Sequence, residues 1–220
     1  IMAGAQPLQS NQEALQYVIS RKIPQERWKD LYYVPKFKEF VNKLKYSFTD
    51  TTYDTPRLII PFYDEDGKCI AFQGRALGKE QPKYITIKLD ESVEKIYGMD
   101  RIDLSKPVKV VEGPLDSLFL DNCLASGDAN LTIVAKTINA PKKILIFDNE
   151  PRNKEIVKMM QDAIKSNHDV VIWPNIVSGS KDINEIILSG ISLAEIESII
   201  SRSTFSGLEA QTNFVFWKKI

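Results

Sequence analysis

The pattern of apolar and polar positions changes twice along the chain. Through residues 10–47 the apolar positions recur at helical spacing. "SNQEALQYVISRK" puts Ala14, Leu15, Val18 and Ile19 on one face, with Ser10 as the candidate cap. Pro24 suits the first turn of a second helix running through Trp28 and Leu31, and "PKFKEFVNKL" reads as a third. Residues 56–88 turn β-like. "PRLIIPFYDEDGKCIAFQGRAL" is a pair of strands around Asp64–Gly67, where Asp66-Gly67 marks a hairpin turn, and "KYITIK" alternates as a third strand. Residues 91–98 read as a short helix. From 107 onward strands and helices alternate: strand "VKVVEG", helix 114–122, strand "CLAS", strand "KILIF", helix 152–166, strand "DVVIW", then helices 181–189 and 192–202. The tail "NFVFWKKI" is a last core strand or helix, or an exposed docking segment. Such alternation predicts a parallel sheet with right-handed crossovers, and a site off the carboxyl ends of its strands.

Acids stand at those ends. Glu112 follows an apolar strand, Asp148 and Glu150 follow another, and Asp182 lies after the loop that leaves a third. A carboxylate ending a buried strand is costly unless something neutralises it. Clustered carboxylates repel, so either one is protonated or a cation sits between them. A hard divalent ion held by oxygen is the natural solution, and Mg²⁺ takes one or two carboxylates together with phosphates and water. Asp148 and Glu150, two apart on a loop, can reach one ion, although Glu150 also reads as a solvated loop acid. Asp116, one turn past Glu112, faces the same site or serves as a favourable helix N-terminal acid. Gly113 lets the backbone turn sharply and a substrate come close.

Composition narrows the options. Lys+Arg and Asp+Glu balance at 29 each, so any nucleic-acid contact must come from local clustering of charge. No apolar run approaches a membrane span and no signal peptide is visible, which predicts no membrane partner. Cys69 and Cys123 read as two buried free thiols of a reducing cytoplasm. With these two Cys and His168 as the one His, a four-ligand Cys/His zinc site cannot be built, so no zinc is expected. The opening Ile1-Met2 reads as a trimmed end.

Three segments, "VEGPLD", "FDNE" and "KDINE", resemble in order the E-G-x-x-D, D-x-D/E and K-D-x-N-E motifs of the TOPRIM domain, which bacterial-type primases, topoisomerases and some nucleases share. The block before them, with an R-φ-φ-φ-P strand, D-x-x-G, a G-R strand end and P-K-Y, resembles the smaller subdomain that precedes TOPRIM in DnaG-type primases. "EGPLDSLF", "DNEPR" and the basic-aromatic tail are most similar to primases of T-even-type phages. The resemblance runs from about residue 14 to the end. It implies an α/β fold: a TOPRIM parallel-sheet, Rossmann-like domain at 105–190, preceded by a small mixed α+β subdomain within 1–104 and followed by a C-terminal helical segment and tail at 191–220.

The activity it implies is metal-dependent synthesis of short RNA primers from NTPs on single-stranded DNA. Glu112, Asp148 and Glu150 would be catalytic, and with Asp182 they would hold Mg²⁺ or Mn²⁺. Arg57, Arg75, Lys83, Asp116 and Lys181 would meet NTP or template. Single-stranded template, NTPs, the RNA–DNA primer hybrid and a hexameric replicative helicase are the implied partners, at the replication fork in the host bacterial cytoplasm. Glu150 departs from the usual Asp, and Pro151-Arg152 replace the usual small residues, so this position carries a longer acid than the family pattern. A TOPRIM nuclease or topoisomerase fragment would share the acids. A replisome adaptor would keep the fold without the chemistry.

Overall fold

A computed structural model describes residues 4–127 and 130–220; the Ile1-Met2 end lies outside them. The chain forms two compact units, Ile1–Asp100 and Arg101–Ile220.

Unit 1 contains β1 (Gln6–Pro7), α1 (Gln12–Ser20), β2 (Tyr32–Val34), α2 (Phe37–Leu44), β3 (Arg57–Tyr63), β4 (Cys69–Ala76) and β5 (Tyr84–Lys88). The five strands make one antiparallel sheet in chain order. Several expectations shift here. Ser10 donates its hydroxyl to the Pro7 carbonyl within a 3-10 turn, so Asn11 caps α1 instead, accepting from the Ala14 N–H. The second expected helix is a 3-10 segment, Gln25–Asp30, and the chain then enters β2, which the sequence reading missed. Residues 91–98 form turns rather than a helix. The Ser92 N–H and hydroxyl both donate to Asp90, a local bond that competes with helix formation. The cap of α2 comes from farther along the chain, where Asp54 accepts the Lys38 and Glu39 N–H groups at 2.7 and 2.8 Å.

The centre of unit 1 is aromatic. Phe37 and Phe40 of α2 meet Phe72 of β4 edge to face, and Val34, Ile59 and Ile87 close the cluster. Pro61 is tolerated in β3, buried in the sheet, because β2 pairs only Arg57 through Ile59 and leaves no ladder partner on that side at Pro61. Gly74 is required by contact. A Cβ there would lie 2.2 Å from the Phe37 ring.

Unit 2 contains β6 (Val108–Val111), α3 (Pro114–Ser117), β7 (Cys123–Ala125), α4 (Leu131–Thr137), β8 (Lys143–Ile146), α5 (Lys154–Lys165), β9 (Asp169–Val171), α6 (Ile183–Leu188), α7 (Leu193–Arg202), β10 (Thr204–Phe205) and α8 (Gly207–Trp217). Its sheet has the order β10-β9-β8-β6-β7. The pairs among β6, β7, β8 and β9 are parallel, as expected, and β10 adds an antiparallel edge. α3 is shorter than 114–122, although i→i+3 bonds continue it to Leu120. The sequence reading missed α4, capped by Asn130, and β10. β10 and α8 join the segment after 191 to unit 2. β10 pairs with β9, while Phe214 and Trp217 of α8 are buried. The tail is thus the end of a helix. Among the described residues, no helix is long and apolar enough to cross a membrane.

The strand order has one consequence for the site. The chain leaves β6 for β7 on one side, then returns for β8 on the other. A crevice opens at the carboxyl ends where such an order reverses. Val111 pairs with Ile146, so the residues just beyond them, Glu112 and Phe147-Asp148, arrive side by side.

Gly74→Ala is expected to lower stability by about 1–3 kcal/mol through overpacking against Phe37. Urea midpoints measure this. Gly74→Ala combined with Phe37→Leu should recover part of the loss, and an unchanged midpoint for Gly74→Ala alone would refute the contact.

Candidate active site

Four carboxylates, those of Glu112, Asp116, Asp148 and Asp182, line one small cleft floored by Val111, Phe147 and Trp173. Glu112 Oε1 accepts the backbone N–H of Asp148 at 3.2 Å, bridging the ends of β6 and β8. Asp116 reaches across to α6, where its Oδ1 accepts the Asn184 N–H at 3.0 Å. Asp182 caps the same helix, accepting from the Glu185 N–H at 2.8 Å.

Gly113 has a role other than the expected sharp turn. Its φ of −93° is ordinary extended backbone. A Cβ at this position would lie 2.6 Å from Asp116 Oδ2, so glycine makes room for that carboxylate.

The electrostatics are lopsided. Burial, then the charges of Glu112, Asp116 and Asp182, push the Asp148 carboxyl up to about 8. Burial likewise raises Glu112, opposed by its bond from the Asp148 N–H. Glu150 stands at the rim, where Lys181 Nζ lies 3.4 Å from it and Asn153 donates to it. Burial alone would lower the Lys181 ammonium, but Glu150, Asp148 and Asp182 hold it above its ordinary value.

Such a cluster calls for a cation, and its donors are all carboxylate oxygens, the chemistry of a hard divalent ion. Among the described residues, no three Asp, Glu, His or Cys side chains converge closely enough to enclose an ion as they stand. The donors fit a divalent cation in kind but not, as they stand, in spacing.

Residues unnoticed in the sequence hold the site together. Asn149, the middle of "DNE", donates its N–H to the Lys181 carbonyl and its side-chain amide to the Val177 and Ser180 carbonyls. Its Oδ1 accepts from the Trp217 indole at 3.0 Å, while the Trp173 indole donates to the Phe147 carbonyl at 2.8 Å. An Asn between two acids carries no periodic signal that would have identified it.

The three cations expected from unit 1 differ in their surroundings. Arg57 is buried, donates to the Gly74 and Pro82 carbonyls at 2.9 and 3.0 Å, and lies over the Phe37 ring. It braces the sheet from within, so the alternative reading of an exposed strand-end cation does not hold. Arg75 is buried between the Tyr17 and Tyr84 rings and donates to the Ala76 carbonyl, while its Nε has no hydrogen-bond partner. Lys83 is exposed, beside the Tyr84 ring.

No family model matches the chain. It is 34% identical over 210 residues to the DNA primase of Enterobacteria phage T4, covering 94% of this chain and 60% of that protein. It is 26% identical over 132 residues to the DNA primase of Thermotoga maritima, covering 53% of this chain and 23% of that protein. The chain thus spans less than two thirds of the length of these curated relatives. Among solved structures, the Aquifex aeolicus primase (zinc-binding and RNA polymerase domains) aligns with TM-score 0.66 and 24% identity, over 89% of this chain and 57% of that one. A DnaG primase catalytic domain bound to ssDNA aligns with TM-score 0.65 and 17% identity, over 96% of this chain and 78% of that one. The resemblance to DnaG-type and T-even-type primases is borne out, and the fold is that of DnaG catalytic cores.

Raised carboxyls favour the protonated fold, so stability should fall as pH rises from about 4 through 8, while Asp148 ionises freely only when unfolded. Asp148→Asn, neutral throughout, should raise the cation-free Tm, with a gain that grows across that window and narrows when Mg²⁺ is added. A pH-independent gain would contradict the assigned burial of charge.

Proposed function

We propose that this chain, a relative of the T4 DNA primase, is the RNA-polymerase domain of a primase that makes short RNA primers from NTPs on single-stranded DNA. The carrying observation is the Glu112–Asp148 contact at the reversal of strand order, which gathers four carboxylates from separate segments on a primase fold. Glu112, Asp148, Glu150 and Asp182 would hold divalent metal, Mg²⁺ or Mn²⁺. When bound, such an ion neutralises phosphoryl charge and eases deprotonation of an attacking hydroxyl.

The chain's own groups do the rest. Glu112, whose carboxyl burial raises, can in its ionised form take a proton from a primer 3′-hydroxyl, and Asp148 can do so once a cation has displaced its proton. Lys181 at the rim can meet a triphosphate, and Asp116 positions the α6 terminus that carries Asp182. Exposed Lys83 suits a phosphate contact, and Arg75, which is buried, would reach one only if the rings over it moved aside. The whole protein would work in the host cytoplasm, on template and primer–template hybrid, alongside a replicative helicase. A nuclease would share the acids but has no need of unit 1, and an adaptor would have no need of the acids.

Glu112→Gln and Asp148→Ala should each cut labelled NTP incorporation on a single-stranded template by at least about a hundredfold while the chain stays folded. Incorporation near the parent rate by either variant would overturn the site.

The unit 1 cations should separate by burial. Arg57→Ala strips the donor from two carbonyls and should lower Tm. Lys83→Ala should leave Tm alone and make template binding less salt-dependent. Equal effects of the two on Tm and on the salt slope would refute this division.

A further inference from the structure

Unit 2 also carries a groove of about 580 Å³, within the roughly 300–1,000 Å³ range of ligand clefts, that the reaction above leaves unused. It shares Glu150 and Lys181 with the acidic centre and extends to Arg152, Asn175, Phe216 and Lys219. Three observations say what it takes. Phe216 is 82% exposed, although Phe214 and Trp217 of the same helix are buried. A large aromatic left in water beside polar groups presents a face for stacking. Arg152 and Lys219 are exposed and, among the described residues, have no ion-pair partner, unlike Lys181. The remaining polar lining, Asn175 and Ser178 among it, is amide and hydroxyl.

The groove is also anchored. The Lys219 N–H donates to the Pro151 carbonyl at 2.8 Å and the Trp217 indole to Asn149, so the end of α8 is fastened to the loop that carries Glu150. Unpaired cations beside an exposed ring suit a ligand that alternates negative charge with planar bases. An apolar protein segment would leave those cations desolvated and unpaired.

We propose that this groove holds a short stretch of single-stranded nucleic acid, with a base stacked on Phe216 and phosphates at Arg152 and Lys219. The proposal rests on the primase reading of the acidic centre, whose rim the groove shares, and assigns the path a strand takes along unit 2 as it passes that centre. Stacking platforms flanked by cations bind single strands with little sequence preference.

The test is fluorescence anisotropy of a labelled single-stranded homopolymer on the 220-residue chain, without divalent cation or NTPs. Phe216→Ala should weaken binding about tenfold. Arg152→Ala and Lys219→Ala should each reduce the slope of log affinity against log salt by roughly 0.7. Leu208→Ala, also exposed on α8 but outside the groove, should match the parent. Parental affinity and slope in all three groove variants would overturn the proposal. Loss of ATP affinity with strand affinity retained would overturn it too, assigning the groove to a free nucleotide. Because this readout needs no catalysis, a failed Glu112→Gln result would sink the primase chemistry separately from the groove.

Discussion

One hydrogen bond organises the second unit: the Asp148 N–H donating to Glu112 Oε1 at the reversal of strand order. It joins the ends of two adjacent parallel strands and at the same time sets two half-buried carboxyls side by side. Burial and mutual repulsion then leave Asp148 far above its ordinary range. The fold accepts this cost, as functional sites do when a cation is to relieve it. Asp116 and Asp182 extend the negative cluster, yet each is also tied to the start of α6 through a backbone N–H. These carboxylates therefore position one another through the backbone of a single short helix.

Asn149 gives this arrangement its stiffness. It sits between the two acids of its loop and bonds to the 177–181 segment and to the Trp217 indole. An amide is suited to the task, since it can donate twice and accept at once without adding charge to an overcharged site. The loop that presents Asp148 and Glu150 is thereby fastened at the strand, at the α6 approach and at the end of α8. The groove alongside is a by-product of that fastening, because the same contacts hold α8 against the loop.

In the first unit the comparable constraint is steric. The Phe37 ring lies on Gly74 with no room for a side chain, while the Arg57 guanidinium covers the ring and satisfies the Gly74 and Pro82 carbonyls. A buried cation is tolerated here because carbonyl dipoles and a π face replace its water. The motif residue Arg57 thus has a structural part in the sheet it holds.

Much of the molecule was legible in sequence. Apolar strands ending in acids, with helices between them, dictated a parallel sheet whose carboxyl ends gather charge, and "VEGPLD", "FDNE" and "KDINE" marked where. Those features are local: a period of two or of 3.6, and a carboxylate where an apolar run stops. Most of the misses were of three kinds. Ser10 and the 91–98 helix turned on side-chain-to-backbone bonds that compete with helix geometry over one or two residues, and α3 was cut short where its backbone bonds tighten to i→i+3. β2 and β10 are two or three residues long and exist because a neighbouring strand edge accepts them, which no period reveals. The role of Gly113 depends on the rotamer of Asp116, three residues on, whose Oδ2 fills the space of a Cβ, while the contacts of Asn149 and Arg57 depend on partners distant in the chain, at the 177–181 loop and Trp217, and at Gly74 and Pro82. Sequence by itself determined which groups carry the charge and which strands deliver them. Tertiary structure decided which of those groups face one another, because burial and distance, the two quantities that set their electrostatics, exist only after the chain has closed on itself.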